Sequence, residues 1–193
     1  IDPGFNQDFA IRVSLQLGFL SIVEMLLKDS RVNPGCKENE AIGNSCSNGF
    51  LEITKLLLKH PKVDPSDRKN FALRFASQNR HAEIVKILLQ DDRVDPRFYG
   101  SHALRVACEM GHLEIATRLL RDPRLNPAQR RNYCFRMACR TGHVQIVGLL
   151  LQDKRVDPTT YNYQGVKEAI KRNNVDIITL LSQDPRIKIK SAT

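Results

Sequence analysis

Three histidines, His81, His112 and His143, follow one another at intervals of 31 residues, and three cysteines, Cys46, Cys108 and Cys139, share a second position of the same period. Imidazole and thiolate are the usual ligands of zinc, so a metal centre is the first chemistry to weigh. The spacing argues against it. Side chains on successive packed helices are carried on axes ~8 to 10 Å apart, whereas ligands of one ion must each come within ~2.1 Å of it. The histidines are expected instead to cap or pack at the start of a helix. The cysteines lie beside Ser45, Ala107 and Ala138, at a position that elsewhere holds Leu15, Ser77 or Ile170, and so read as small buried hydrophobes on a packed helix face. Five unpaired thiols point to an intracellular compartment. No glycine-rich phosphate loop, paired metal-ligand spacing or nucleophile with a local base stands out. The sequence therefore assigns no catalytic residue, metal or cofactor, and enzyme is the weak reading.

The arginines say more. Arg31, Lys62, Arg93, Arg124, Arg155 and Arg186 form one ladder of period 31, most of them two residues after an aspartate, as in Asp91 and Arg93. Pairing with that acid or with helix-end carbonyls is the expected role. A second ladder, Arg12, Arg74, Arg105, Arg136 and Lys167, falls on a helix and reads either as a solvated, neighbour-bonding face or as a contact surface. Of the net charge of +9, +5 falls within residues 125–155, where six cations face the single acid Asp153. Arg130 and Arg131 lie there in a loop, and Arg136 and Arg140 four apart on a helix, where like charges repel mildly. Such a cluster suits an acidic partner or a solubilising face. Loop aromatics, Phe5, Phe98, Tyr99, Tyr161 and Tyr163, accompany the arginines, and interface cores favour both residue types. The candidate partner-binding residues are thus Arg97, Phe98, Tyr99, Arg105, Arg130, Arg131, Arg136, Arg140, Tyr161 and Tyr163. The same mixture suits single-stranded nucleic acid, but the charge is too local to favour it.

The elements that must position these residues follow from the period. The phrase Arg93-Val94-Asp95-Pro96 returns as Arg31-Val32-Asn33-Pro34, Lys62-Val63-Asp64-Pro65, Arg124-Leu125-Asn126-Pro127 and Arg155-Val156-Asp157-Pro158, with Ile1-Asp2-Pro3 in phase. Six units result, 1–31, 32–62, 63–93, 94–124, 125–155 and 156–186, with 187–193 as a tail. A period of this size means a solenoid, whose units bury their apolar faces against their neighbours. Asp122-Pro123-Arg124-Leu125 suits a type I turn, and a proline at the third position of all six units, as at Pro96 and Pro127, opens each unit with a loop. Asp8, Asn39, Asn70, Ser101 and Asn132, with Tyr163 the exception, then stand where they could cap a first helix. That helix has a small-residue stripe, such as Ala103, Leu104 and Ala107. Gly18, Gly49, Gly111 and Gly142, with Asn173 as substitute, supply a left-handed stop; Arg80 breaks the pattern, and local strain is expected there. A second helix carries isoleucine and leucine at helical spacing, as at Ile115 and Leu119. The expected fold is all-α, a solenoid of six helix-turn-helix units with little or no β structure. No run is long enough to span a membrane. Residues 1–10 have no basic start before an apolar run, so no secretory signal is expected; without an initiator methionine the chain reads as a fragment.

The array resembles ankyrin repeats over its whole length. The resemblance is strongest at Gly111-His112-Leu113-Glu114-Ile115 and at Gly49-Phe50-Leu51-Glu52-Ile53, and weakest where Phe71-Ala72-Leu73-Arg74 and His102-Ala103-Leu104-Arg105 replace that family's threonine-proline-leucine-histidine. The units are also shorter than the family's usual length, so a strand-like finger between them is not expected. The resemblance implies a non-catalytic scaffold that binds a protein partner through its concave loop and first-helix surface. The alternative is a structural element that stacks end to end or belongs to a larger multidomain protein; nucleic-acid binding ranks third. The carboxyl end carries Glu168, Lys171, Arg172 and Ser182, the pattern of a polar cap. The amino end instead crowds Val13, Leu15, Leu17, Phe19 and Leu20, and a cover from preceding residues or a partner is expected there.

Overall fold

The computed structural model describes residues 5–187, with side chains from residue 9. Ile1, Asp2, Pro3, Lys188 and Lys190, and the side chains of Phe5 and Asp8, lie outside the described residues. Twelve helices and no strand are found among the described residues: α1 (Phe5–Leu17), α2 (Leu20–Leu26), α3 (Cys36–Asn48), α4 (Leu51–Leu58), α5 (Asp67–Gln78), α6 (Ala82–Leu89), α7 (Phe98–Met110), α8 (Leu113–Leu120), α9 (Gln129–Thr141), α10 (Val144–Gln152), α11 (Thr160–Lys171) and α12 (Val175–Ser182). Consecutive helices pair as hairpins, α1 with α2, α3 with α4, α5 with α6, α9 with α10 and α11 with α12. Two compact bodies divide between Phe98 and Tyr99.

In the amino-terminal body α1, α3 and α5 pack in one row and α2, α4 and α6 in another. In the carboxyl-terminal body α9 packs on α11, and α10 on both α8 and α12. The rows form because each first helix presents small side chains inward. Ala72, Leu73 and Ala76 are buried on α5, and Ala103, Leu104 and Ala107 on α7. The second helices α4, α6, α8, α10 and α12 add their isoleucine and leucine: Ile53, Ile84, Ile115, Ile146 and Ile177, and Leu57, Leu88, Leu119, Leu150 and Leu181, are all buried, whereas Ile22 of α2 is exposed. Cys46, Cys108, Cys134 and Cys139 are buried free thiols, and desolvation pushes Cys46 and Cys139 up to about 12. They are packing atoms, as their small neighbours suggest.

The loops are built from paired side chain to backbone turns. Asp122 Oδ1 accepts from Arg124 N–H at 2.9 Å while Asp122 O accepts from Leu125 N–H at 3.1 Å, the turn expected of Asp-Pro. A second such turn follows at once, with Asn126 Oδ1 accepting from Ala128 N–H at 2.9 Å. The first arginine ladder closes these loops onto the preceding repeat. Arg155 forks onto Asp153 at 2.9 and 2.6 Å and sends Nη1 to Leu125 O at 2.7 Å. Arg186 does the same with Asp184 and reaches Val156 O and Leu151 O, both at 2.9 Å. Arg93, with Asp91, reaches Val63 O and Leu58 O. Each is therefore both an ion pair and a staple to carbonyls about one repeat earlier.

The histidines also join repeats. His81 Nε2 meets Ser47 O, and His143 Nε2 meets Glu109 O, each at 3.0 Å. Each ring lies over a glycine of the earlier repeat, Gly49 (φ 83°) and Gly111 (φ 78°), where a Cβ would stand 2.6 and 2.5 Å from it. Left-handed backbone and ring contact together require glycine there. Arg80 and Asn173, at the equivalent position, hold φ of 67° and 54° without that relief.

Candidate functional surface

The start of the first helix departs from the capping expected from sequence. Asn39, Asn70, Ser101 and Asn132 do not cap their own helices; all have positive φ and all reach into the loop of the next repeat. Asn39 Oδ1 accepts from Asp64 N–H at 2.8 Å and its Nδ2 donates to Asp67 Oδ2. Asn70 Nδ2 donates to Asp95 O at 3.2 Å, and Asn132 Nδ2 to Asp157 O and Thr160 Oγ1 at 3.0 and 2.9 Å. Each is the last of three consecutive left-handed residues. In the carboxyl-terminal body these triplets are Tyr99, Gly100 and Ser101; Arg130, Arg131 and Asn132; and Tyr161, Asn162 and Tyr163, with φ from 52° to 64°. Left-handed backbone costs a residue with a side chain about 1 kcal/mol or more, so three in a row need outside support.

The second arginine ladder gives that support. Arg105 Nε and Nη2 donate to Gly100 O at 3.0 Å and Tyr99 O at 3.2 Å. Arg136 repeats the arrangement on Arg131 O at 3.0 Å and Arg130 O at 3.3 Å. Arg74 reaches Arg68 O and Lys69 O in the amino-terminal body. These guanidiniums brace the turn that carries the loop arginines and tyrosines.

Their flat faces build a further layer. Arg105 lies over the Tyr133 ring at 5.4 Å, Arg136 over Tyr133 at 5.8 Å and over Tyr161 at 5.4 Å, and Arg131 over Tyr161 at 5.0 Å. Guanidinium on ring is favourable electrostatically, and it lets cations be neighbours without acids between them. The result is one alternating run, Arg105, Tyr133, Arg136, Tyr161 and Arg131, across three repeats. Tyr161 is 52% exposed, so one member of the run offers half its surface to solvent. Among the described residues Arg105, Arg130, Arg131, Arg136 and Arg140 form no ion pair.

Five of the sequence candidates, Arg105, Arg130, Arg131, Arg136 and Tyr161, thus meet on one face, with Tyr99 at its edge 6.0 Å from the His102 ring. Tyr163 is half-buried in its turn, and Arg140 is exposed in the last turn of α9, where a cation suits the helix dipole. Arg97 and Phe98 belong to the other body, where Arg97 is exposed and held by Asp95 at 2.9 Å. Tyr133 escapes a search for loop aromatics because it lies within α9. Its hydroxyl donates to Glu109 Oε2 at 3.2 Å, and burial with that carboxylate pushes its phenol above the usual range. The signal that finds it is its spacing of three from Arg136, one helical turn, which sets the two side chains side by side on the helix surface.

A family model for ankyrin repeats (3 copies) matches residues 9–98 and 62–130, more than half of the chain. The chain belongs to the ankyrin repeat family. Comparison with curated proteins returned no match. The ankyrin hairpins here are joined without strands among the described residues, and none of their helices is long and apolar enough to cross a membrane. Ankyrin repeats are generally protein-interaction modules.

Proposed function

We propose that this ankyrin chain is a non-catalytic interaction module that binds an acidic face of a protein partner through the loop turns and first helices of its carboxyl-terminal body. The observation that carries this reading is the braced run of Arg105, Tyr133, Arg136, Tyr161 and Arg131, with Arg130 and Arg140 nearby in sequence and no acid paired to any of the arginines among the described residues. Cations held in place before binding lose little side-chain freedom on contact, so such a surface is pre-organised for recognition. The buried free thiols suit an intracellular setting. Reversing Arg130, Arg131 and Arg140 together to Glu should weaken capture of the partner while the melting temperature moves little, because among the described residues none of the three donates a side-chain hydrogen bond and only the exposed stacking of Arg131 on Tyr161 is lost. Undiminished capture by the reversed chain would remove this reading. Nucleic acid as the partner would show itself by a steep fall in affinity with salt.

A second reading, assembly through the first repeat, is favoured by one observation. Phe9, Leu17, Phe19, Ile22 and Met25 are 44 to 70% exposed, whereas Phe50, at the position equivalent to Phe19, lies against Gly18. Sedimentation should then show association that Phe19→Lys with Met25→Lys abolishes; a monomer at all concentrations would exclude self-assembly.

A further inference from the structure

The left-handed turns of the two bodies differ in whether an acid answers the arginine, and that difference bears on what the basic surface receives. In the amino-terminal body Arg68, second of the four residues that open α5, faces Glu38 of the preceding turn, Nε to Oε2 at 3.7 Å. Arg130 holds the same place in its own turn, and the place of Glu38 is taken by Gly100. The Arg130 guanidinium lies against that glycine, its Nε 2.8 Å from where a Cβ would stand. One repeat further the same pair is Tyr161 over Arg131, again with no acid. The backbone does not demand glycine at this place. Glu38, Lys69, Arg131 and Asn162 hold the equivalent position at φ of 55°, 63°, 57° and 56° with full side chains. What glycine does is remove the carboxylate that answers Arg68 and leave the Arg130 guanidinium uncovered.

We infer that a carboxylate side chain of an acidic peptide segment pairs with the exposed Arg130 guanidinium where it lies over Gly100, as Glu38 pairs with Arg68 within the chain. This rests on the proposed protein-binding role of the surface and names the group that surface reads. Arg131, stacked on Tyr161, and Arg136, braced on the turn carbonyls, lie beside it, so flanking acids of the same segment find further cations. The carboxylate is preferred over other anions because the molecule already makes this pair with a carboxylate in its other body. The pairing is exposed to solvent and weakens with salt.

The probe is a fluorescein-labelled peptide of ten glutamates, followed by anisotropy at low salt on the full chain. Its glutamine counterpart and a single-stranded oligonucleotide of equal charge serve as comparisons. Gly100→Glu supplies the acid internally and should weaken the glutamate peptide about threefold to fivefold, the range of an exposed ion pair. Arg130→Gln should weaken it by a similar factor, and Gly100→Gln, of the same size without charge, should bind within about twofold of the parent. Retained binding by Gly100→Glu overturns the inference. So does equal loss in Gly100→Gln, which would make the effect steric, and so does tighter binding of the oligonucleotide than of the peptide. Loss of peptide binding in Arg131→Glu with Gly100→Glu unaffected would overturn this inference alone and leave the surface standing. No binding by the parent overturns the acidic-segment claim, while capture of a partner sensitive to the triple reversal would still support the interaction module.

Discussion

At the scale of single residues the repeat depends on side chains that serve two neighbours at once. Arg155 and Arg186 each pair an aspartate two residues back and staple carbonyls of the earlier repeat. The bonds from arginine hold the carboxyls of Asp91, Asp153 and Asp184 below the usual range and bring Asp29 to about 2. A carboxyl depressed on folding stabilises the fold above its unfolded value near ~3.9, and that contribution is lost as pH falls through the folded value. Stability should therefore decline between about pH 4 and pH 2. Asp153→Asn and Asp184→Asn should each make that decline shallower, read as urea midpoints across the range. An unchanged slope in both would mean that these pairs are equally formed in the unfolded chain. The boundary at Lys62 differs, since His60 replaces the aspartate and the lysine donates instead to Ser30 O at 3.2 Å.

At the scale of elements, the helices are legible in the sequence and the turn between them is not. Isoleucine and leucine recurring on a helical stripe, with glycine at the stop, are enough to announce Leu113–Leu120 and its counterparts. The left-handed triplet leaves no such mark. Its members include Lys37, Arg68, Arg130 and Tyr161, none of which prefers positive φ; the triplets that start at Arg68, Tyr99 and Arg130 are braced by the arginine five or six residues on, and the asparagines reach the next repeat's loop. Asn39, Asn70 and Asn132 are the available signal, since asparagine tolerates this region better than most residues. A helix cap and a left-handed turn both favour asparagine, so the residue type alone does not separate them. Asn132→Ala should destabilise the chain by about 1 to 3 kcal/mol, losing a bond to the next loop and straining the turn. Asn132→Gly should cost less, since only the bond is lost. Equal melting of all three chains would show that the triplet is not under load.

At the scale of the whole molecule, charge and fold answer different questions. The fold rests on residues that recur in nearly every repeat, while the proposed function rests on residues that do not: Gly100, Arg130, Arg131, Tyr133 and Tyr161. That is why the architecture follows from the period and the partner does not. The ankyrin hairpins position one face of arginine and tyrosine in the carboxyl-terminal body, and the proposal stands on that face being the one a partner touches. Hydrogen exchange with and without the captured partner tests this most directly. Slowed exchange is expected at residues 99–105, 130–136 and 161–167, the turns and first-helix starts, with α8, α10 and α12 unchanged. Slowing confined to those second helices, or to residues 9–27, would contradict the account.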